Sequence, residues 1–326
     1  MIFRFKMGKI INLFNFILKN FRVQIIKSER MNDLLKIEND VEWQIKKNQD
    51  SSYRTRSVST IIFSKDRPLQ LHALLNSIYD QFTEKPNKIY ILYKCSTSSY
   101  EKAYLELKKE TPLKSIIWND QGTKLFKTSL LDILHSINDE IIFFLVDDII
   151  FIRPVILSDW TIWPPSDFVA SMRLGNHLNC CFNKKNVAMP LPIFRNSNVL
   201  KEFLIWDWSK GQYDWQYPLS VDGHFFSTSE LTFFAELLDY KAPNSFEASL
   251  QPYQNIFSRR MGVCMNETRL LNVPANIVQD EYENIHGTFT TEEALKYWSQ
   301  GKRIDVSQYY GFKNQSVHEL VKLYIK

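Results

Sequence analysis

Glycine is scarce in this chain, with nine in 326 residues. None falls in FSKDRPL (residues 63–69), which follows the first strand-like run. The Gly-rich, phosphate-cradling loop of a nucleotidyltransferase is therefore missing where it would be needed. The four cysteines, Cys95, Cys180, Cys181 and Cys264, form no C-x-x-C pair, and the adjacent two are ill placed to share a disulfide or a zinc ion. A disulfide framework and a zinc ribbon are both excluded, and free thiols in a reducing compartment are expected. No uninterrupted apolar run approaches the ~20 residues of a spanning helix. The N-terminus also lacks a clean apolar core followed by a small-residue cleavage site, so no signal peptide is expected. Internal repeats and low-complexity tracts are absent. The main body has no excess of one charge: outside residues 1–30 it carries 33 basic and 35 acidic side chains. That excludes a broad electrostatic trap for nucleic acid.

What is plentiful is apolar and aromatic surface. The chain is 44% hydrophobic and 14% aromatic, ample for a large core and too apolar for a disordered chain. The basic character sits in the leader, where residues 1–30 hold seven Lys/Arg and one acid. Ile10, Ile11, Leu13, Phe14, Phe16, Ile17 and Leu18 can bury one face of a helix there. Two readings stay open: a basic amphipathic helix lying on an anionic membrane surface, or a helix packed on the protein's own body. The expected localisation is cytoplasmic, with peripheral contact on the inner face of the membrane under the first reading. Residues 1–56 are read as this helical leader plus a linker.

From residue 57 the hydrophobic period changes. VSTIIF (58–63), IYILYKC (89–95), SIIWND (115–120) and IIFFLV (141–146) read as strands. Between them, RPLQLHALLNSIYDQF, SYEKAYLELKKE and KLFKTSLLDILHSI have helical spacing. Four alternations in about 90 residues predict an α/β fold with an open, mostly parallel sheet and helices on both faces. Runs apolar on both faces suit strands covered on both sides. Ligands of such sheets bind beyond the carboxyl ends of the strands, which here carry Ser64–Arg67, Lys94–Ser96, Asn119–Asp120 and Asp147–Asp148. After Pro154 the alternation stops. Residues 57–150 and 151–290 are expected to form two halves, and 291–326 a tail with helices over TEEALKYWSQG and near SVHELVKLYIK. A helix is expected over FFSTSELTFFAELLDY (225–240).

Two adjacent carboxylates after a buried strand repel each other, and burying either unpaired costs several kcal/mol. A hard divalent cation removes both costs, since Mg²⁺ or Mn²⁺ prefers oxygen ligands and is held by one or two carboxylates plus substrate phosphates. The alternative is a pair of exposed loop acids. In YPLSVDGHFF, Asp222 before Gly223 is placed on a tight turn, read either as a functional carboxylate at a helix start or as a helix cap. In APNSFEASL, Glu247 is a second candidate base or acceptor-binding group. Trp206, Trp208 and Trp215 with Tyr213 and Tyr217 make a patch that either stacks on a sugar or fills core.

VSTIIFSKDRPLQLHALLNSI and FLVDDIIF resemble the first strand, nucleotide loop and acidic metal motif of the GT-A fold glycosyltransferases, of the bacterial glycosyltransferase-2-like kind. The resemblance covers roughly residues 57–250. It departs from the usual Asp-x-Asp, having Val146-Asp147-Asp148. It implies a metal-dependent enzyme that moves a sugar from a nucleotide-sugar donor to a hydroxyl acceptor, saccharide or lipid-linked, in synthesis of surface polysaccharide or lipopolysaccharide. Asp148 would bind Mn²⁺ or Mg²⁺, with His286 of NIHG as a further ligand. Asp147 would hold ribose or a metal-bound water. Ser64, Lys65, Asp66 and Arg67 would lie by the nucleotide, and Asp120 would contact base or ribose. Asp222 would be the base if the reaction inverts, with Glu247 as the alternative; inversion and retention both stay open. An aspartate-nucleophile phosphatase or phosphotransferase is the runner-up, although Asp147-Asp148 comes late in the chain for that class. A non-catalytic sugar- or nucleotide-binding module is the third reading.

Overall fold

The sheet is built outward from its most apolar strands. In the computed structural model, which describes residues 50–276 and 286–326, β1 (Val58–Lys65) lies between β2 (Ile89–Lys94) and β4 (Ile141–Val146). Parallel β3 (Ile116–Asp120) closes one edge. Helices α1 (Pro68–Gln81), α2 (Ser98–Glu110) and α3 (Phe126–Ser136) make the three crossovers. Pro68 opens α1, where its fixed φ and missing N–H suit the first helical turn. The first five residues of β4 are 0–1% exposed, so the strand is covered on both faces as its unbroken apolar run requires.

Register places the site. Phe63 pairs with Val146 across β1 and β4, so Ser64 and Asp147 emerge side by side at the carboxyl edge. A two-residue turn, Asp147–Asp148, then leads into β5 (Ile149–Phe151). The other half of the fold is a second sheet, ordered β6 (Phe168–Gly175), β12 (Met261–Met265), β10 (Phe203–Asp207) and β9 (Arg195–Asn196). A small hairpin joins β7 (Cys180–Cys181) to β8 (Val187–Ala188), and β13 (Leu270–Asn272) pairs with β5. Asp50–Lys326 form one compact unit.

Three expectations change. Asp222–Gly223 does not open a helix. It leads into β11 (Phe225–Ser227), which adds antiparallel to β4, and α4 begins only at Thr228 (Thr228–Leu237). The aromatic FF pair, apolar at both positions, satisfies the sheet edge before the helical period takes over. Of the tail, α6 (Thr291–Ser299) forms, following α5 (Pro243–Leu250), but residues 316–326 are extended rather than helical. Val321, Leu323 and Ile325 pack inward while their neighbours face solvent, a period of two. The leader and its membrane contact through residues 1–30 lie outside the described residues.

Candidate active site at the carboxyl ends of β1 and β4

A cleft of about 830 Å³ opens where β1 and β4 end. It is lined by Ser64, Lys65, Arg67, Asp147 and Asp148 from the parallel sheet, and by Arg173, Asp222, Glu247, His286 and His318 from the rest of the fold. Two of the expected site residues lie apart from it. Asp66 holds a left-handed φ of 55° and its carboxylate accepts from the Ser96 amide at 2.8 Å, tying the end of β1 to the loop after β2. Asp120, at the end of the edge strand, is exposed and accepts from the Gly122 amide at 2.9 Å; its neighbour Gln121 lines the cleft.

Arg67 explains why two aspartates tolerate adjacency. Its Nη1 donates to Asp147 Oδ1 at 2.9 Å and to Asp148 Oδ2 at 3.1 Å, and its Nη2 donates to the Asn276 carbonyl. Asp147 is fully engaged: Oδ2 also accepts from the Ser64 hydroxyl at 2.8 Å and the Lys65 amide at 3.3 Å. A relay of donors backs it, because the Arg67 amide donates to the Tyr104 hydroxyl, which lies against the Ser64 hydroxyl. Burial pushes the Asp147 carboxyl up, against the pull of Arg67. Asp148 is pushed up to about 6, first by burial and then by the charges of Asp147 and Asp222, with Arg67 opposing. Its Oδ1 is buried without a partner.

Across the cleft stands a second acidic group built around Arg173. This buried guanidinium donates to Asp214 at 2.8 Å and to the Ser220 hydroxyl, and lies 3.7 Å from Asp222 Oδ2. His318 Nε2 is 3.5 Å from the same oxygen. Burial raises the Asp222 carboxyl, but the His318 hydrogen bond and the charges of Arg173 and His318 outweigh it and hold the group below the usual carboxylate range. Glu247, on α5, moves the other way. Burial and then the negative charge of Asp222 push it up to about 7, while Arg173, Tyr217 and His318 oppose. Two carboxyl groups sharing one field thus have their acidities driven apart.

Asp222 is held in place by Gly223. That residue has φ of +72°, and a Cβ on it would meet Leu270 Cδ2 at 2.5 Å, so the chain passes too close for a side chain. His224 is buried with Nδ1 donating to the Pro218 carbonyl, and burial holds its pKa down to about 3. The three tryptophans of the aromatic patch are core: Trp206, Trp208 and Trp215 are at most 1% exposed and meet edge to face. Tyr213 and Tyr217 instead line the cleft.

Among the described residues, no three His, Cys, Asp or Glu side chains cluster to hold a metal unaided. His286 lines the cleft, but its Nδ1 donates to the Gly287 carbonyl, leaving only Nε2 for a ligand. Asp148 fits better: it lines a roomy cleft and one of its oxygens is buried without a partner, as in sites where substrate phosphates supply the remaining ligands. Arg173, Tyr104 and Asn276 were not singled out by sequence reasoning. Arg173 sits within an apolar strand, so it carried no local signal.

No protein-family model matches this chain, and no curated protein matches it. Among solved structures it is similar to the mannosyltransferase PcManGT from Pyrobaculum calidifontis, in complex with GDP-Man and Mn²⁺. There the identity is 16% and the TM-score 0.31, over 44% of this chain and 44% of that one. It is also similar to S. aureus TarS 1–349, at 14% identity and a TM-score of 0.42, over 66% of this chain and 59% of that one. S. aureus TarS gives 15% identity and a TM-score of 0.37, over 60% of this chain and 33% of that one. The chain therefore spans less than two thirds of the length of each of these structures. The chain itself forms an α/β fold with a mostly parallel central sheet and an acidic cleft at the strand ends.

Proposed function

We propose that the protein is a glycosyltransferase that moves a sugar from a nucleoside diphosphate donor to a hydroxyl acceptor. One observation carries the reading. A single cleft beyond the parallel strands holds Asp148, with its unpartnered oxygen, opposite the Asp222 and Glu247 pair, whose acidities are split. Strand-end clefts of this kind receive nucleotides. Asp148 would hold a divalent cation, Mn²⁺ or Mg²⁺, which when bound would offset charge on the departing diphosphate.

The chain's own residues divide the remaining work. Ser64 and Lys65 line the donor side, and Asp66 shapes the loop that carries them. Arg67 keeps Asp147 and Asp148 aligned and half-neutralised. Glu247 is the general base in this reading, because a pKa near working pH combines the right protonation state with useful basicity. Asp222, kept ionised by His318 and Arg173, is a fixed negative charge that raises the basicity of Glu247 and orients the acceptor. The acceptor is a saccharide hydroxyl, free or lipid-linked. An aspartyl-phosphate route gains nothing from the geometry, because both Asp147 oxygens are committed to hydrogen bonds.

Calorimetric titration of UDP, GDP and CMP, with and without Mn²⁺, tests the donor site on wild type and on Asp148→Asn. The expected result is metal-dependent binding of one nucleoside diphosphate that the variant loses, by tenfold or more. Equal binding by the two proteins, or none by either, would remove Asp148 from the mechanism.

A further inference from the structure

The stretch from 183 to 201, NKKNVAMPLPIFRNSNVLK, is unlike the rest of the surface. It holds four basic residues, Lys184, Lys185, Arg195 and Lys201, and not one acid. All four are exposed. Between them stand large apolar side chains in water: Ile193 is 93% exposed, Leu191 48%, and Val187 and Val199 38% each. The segment is not loosely attached. Met189, Pro192 and Ser197 are buried, and Phe194 packs edge to face on Trp206 and Trp215. The inward residues pin the strap to the tryptophan core, and the residues between them are left to face solvent. At the head of the strap, Lys185 and Asn186 have φ of 59° and 58°, a tight hairpin turn that pushes the two lysines outward. Asparagine accepts that conformation readily, whereas lysine does so at a cost.

We propose that residues 183–201 form a docking surface for an anionic phospholipid bilayer. Isolated exposed apolar residues need no explanation, but a run of them interleaved with four cations and no acid does. Leucine and isoleucine inserted at the acyl boundary, with Lys and Arg at headgroup level, make the pattern of a peripheral membrane contact. Charge selects the occupant. The protein's own leader, at seven basic residues to one acid, would be repelled by this face, while an anionic lipid surface is attracted. A neutral apolar partner would leave the four cations unmatched. The proposal does not depend on the sugar-transfer reading. Should both hold, the consequence is geometric: Asn183 and Lys184 also line the cleft, so docking would bring its mouth to the membrane surface and favour a lipid-linked acceptor.

Co-sedimentation of the full chain with phosphatidylglycerol/phosphatidylcholine vesicles, against phosphatidylcholine alone, tests the surface. Wild type is expected to partition only onto the anionic vesicles. The pair Leu191→Asp and Ile193→Asp should cut that partitioning about tenfold or more. Lys184→Glu with Lys185→Glu should cut it roughly fivefold or more per charge. Ile193→Trp should strengthen it, since Trp favours the bilayer interface. Near-ultraviolet circular dichroism confirms that each variant keeps its tertiary packing. Partitioning unchanged by the two Asp substitutions would overturn the proposal and hand membrane contact to another part of the chain. Loss on lysine replacement alone, with the Asp pair and the Trp variant behaving as wild type, would also overturn it, in favour of a soluble polyanion.

Discussion

Glu247 is the side chain whose surroundings set the pH behaviour of the cleft. Its carboxyl is held near 7 by burial and by the charge of Asp222, against an ordinary value of 4.5. As general base it acts ionised, so kcat/KM should rise with pH and level off above about 7. Glu247→Gln should lower kcat by ~10²–10⁴-fold with nucleotide affinity unchanged, and a pH–rate profile checks both points. The same group has an opposite effect on stability. Between 4.5 and about 7 the folded state binds the proton that the unfolded state releases, so stability falls across that window. Glu247→Gln should therefore be more stable than wild type at pH 8, by roughly 1–3 kcal/mol and with a higher melting temperature, and show no gain at pH 4. Equal melting at pH 8 would mean that Glu247 is comfortably solvated. At this scale the sequence was legible for acids and poorly legible for their partners. Asp147, Asp148, Asp222 and Glu247 were singled out from apolar runs and turns, and all four reach the cleft. Arg67 was placed near a nucleotide base, and its part as the cation between two aspartates came only from register.

At the scale of elements, the antiparallel addition of β11 to β4 decides where Asp222 points. The Gly223 amide donates to the Phe144 carbonyl at 2.8 Å, fixing Asp222 level with the end of β4. Gly223→Ala forces a left-handed φ on alanine and drives its methyl group into Leu270. It should destabilise by about 1–3 kcal/mol and lower kcat more than it raises KM, since Asp222 moves while the donor side stays put. Thermal melting together with steady-state kinetics distinguishes this from simple loss of folded protein. The four parallel strands were readable because each holds a short apolar run between helical periods, even at the half-exposed edge strand β3. β11 was not, because three residues beside a helix have no period of their own. The extended final segment was misread for a related reason: its apolar residues fit both helical and alternating templates, and pairing with β13 settled the matter.

Over the whole molecule, the chain after residue 286 is what ties the two halves of the cleft together. Trp298 is buried, donates to Glu106 at 2.9 Å and meets His72 edge to face, while Arg303 lies 3.5 Å above its ring and pairs with Glu110. Beyond this anchor the segment crosses to β13 and delivers His318 to Asp222. Trp298→Ala should cost about 3–5 kcal/mol, read as a lower melting temperature and an earlier denaturant midpoint. A shift of only a few tenths of a kcal/mol would show that the closing segment is held elsewhere.

Period and composition alone determined the α/β class, the strand order of appearance and the acids at the strand ends, because those depend on local alternation and on which residues resist burial. The tertiary structure decided everything that depends on two distant segments meeting. It set Arg67 between Asp147 and Asp148 across 80 residues, and His318 and Arg173 against Asp222. It also drove the acidities of Asp222 and Glu247 apart. Burial and neighbouring charge set those values, and neither is a property of a residue until the chain has closed around it.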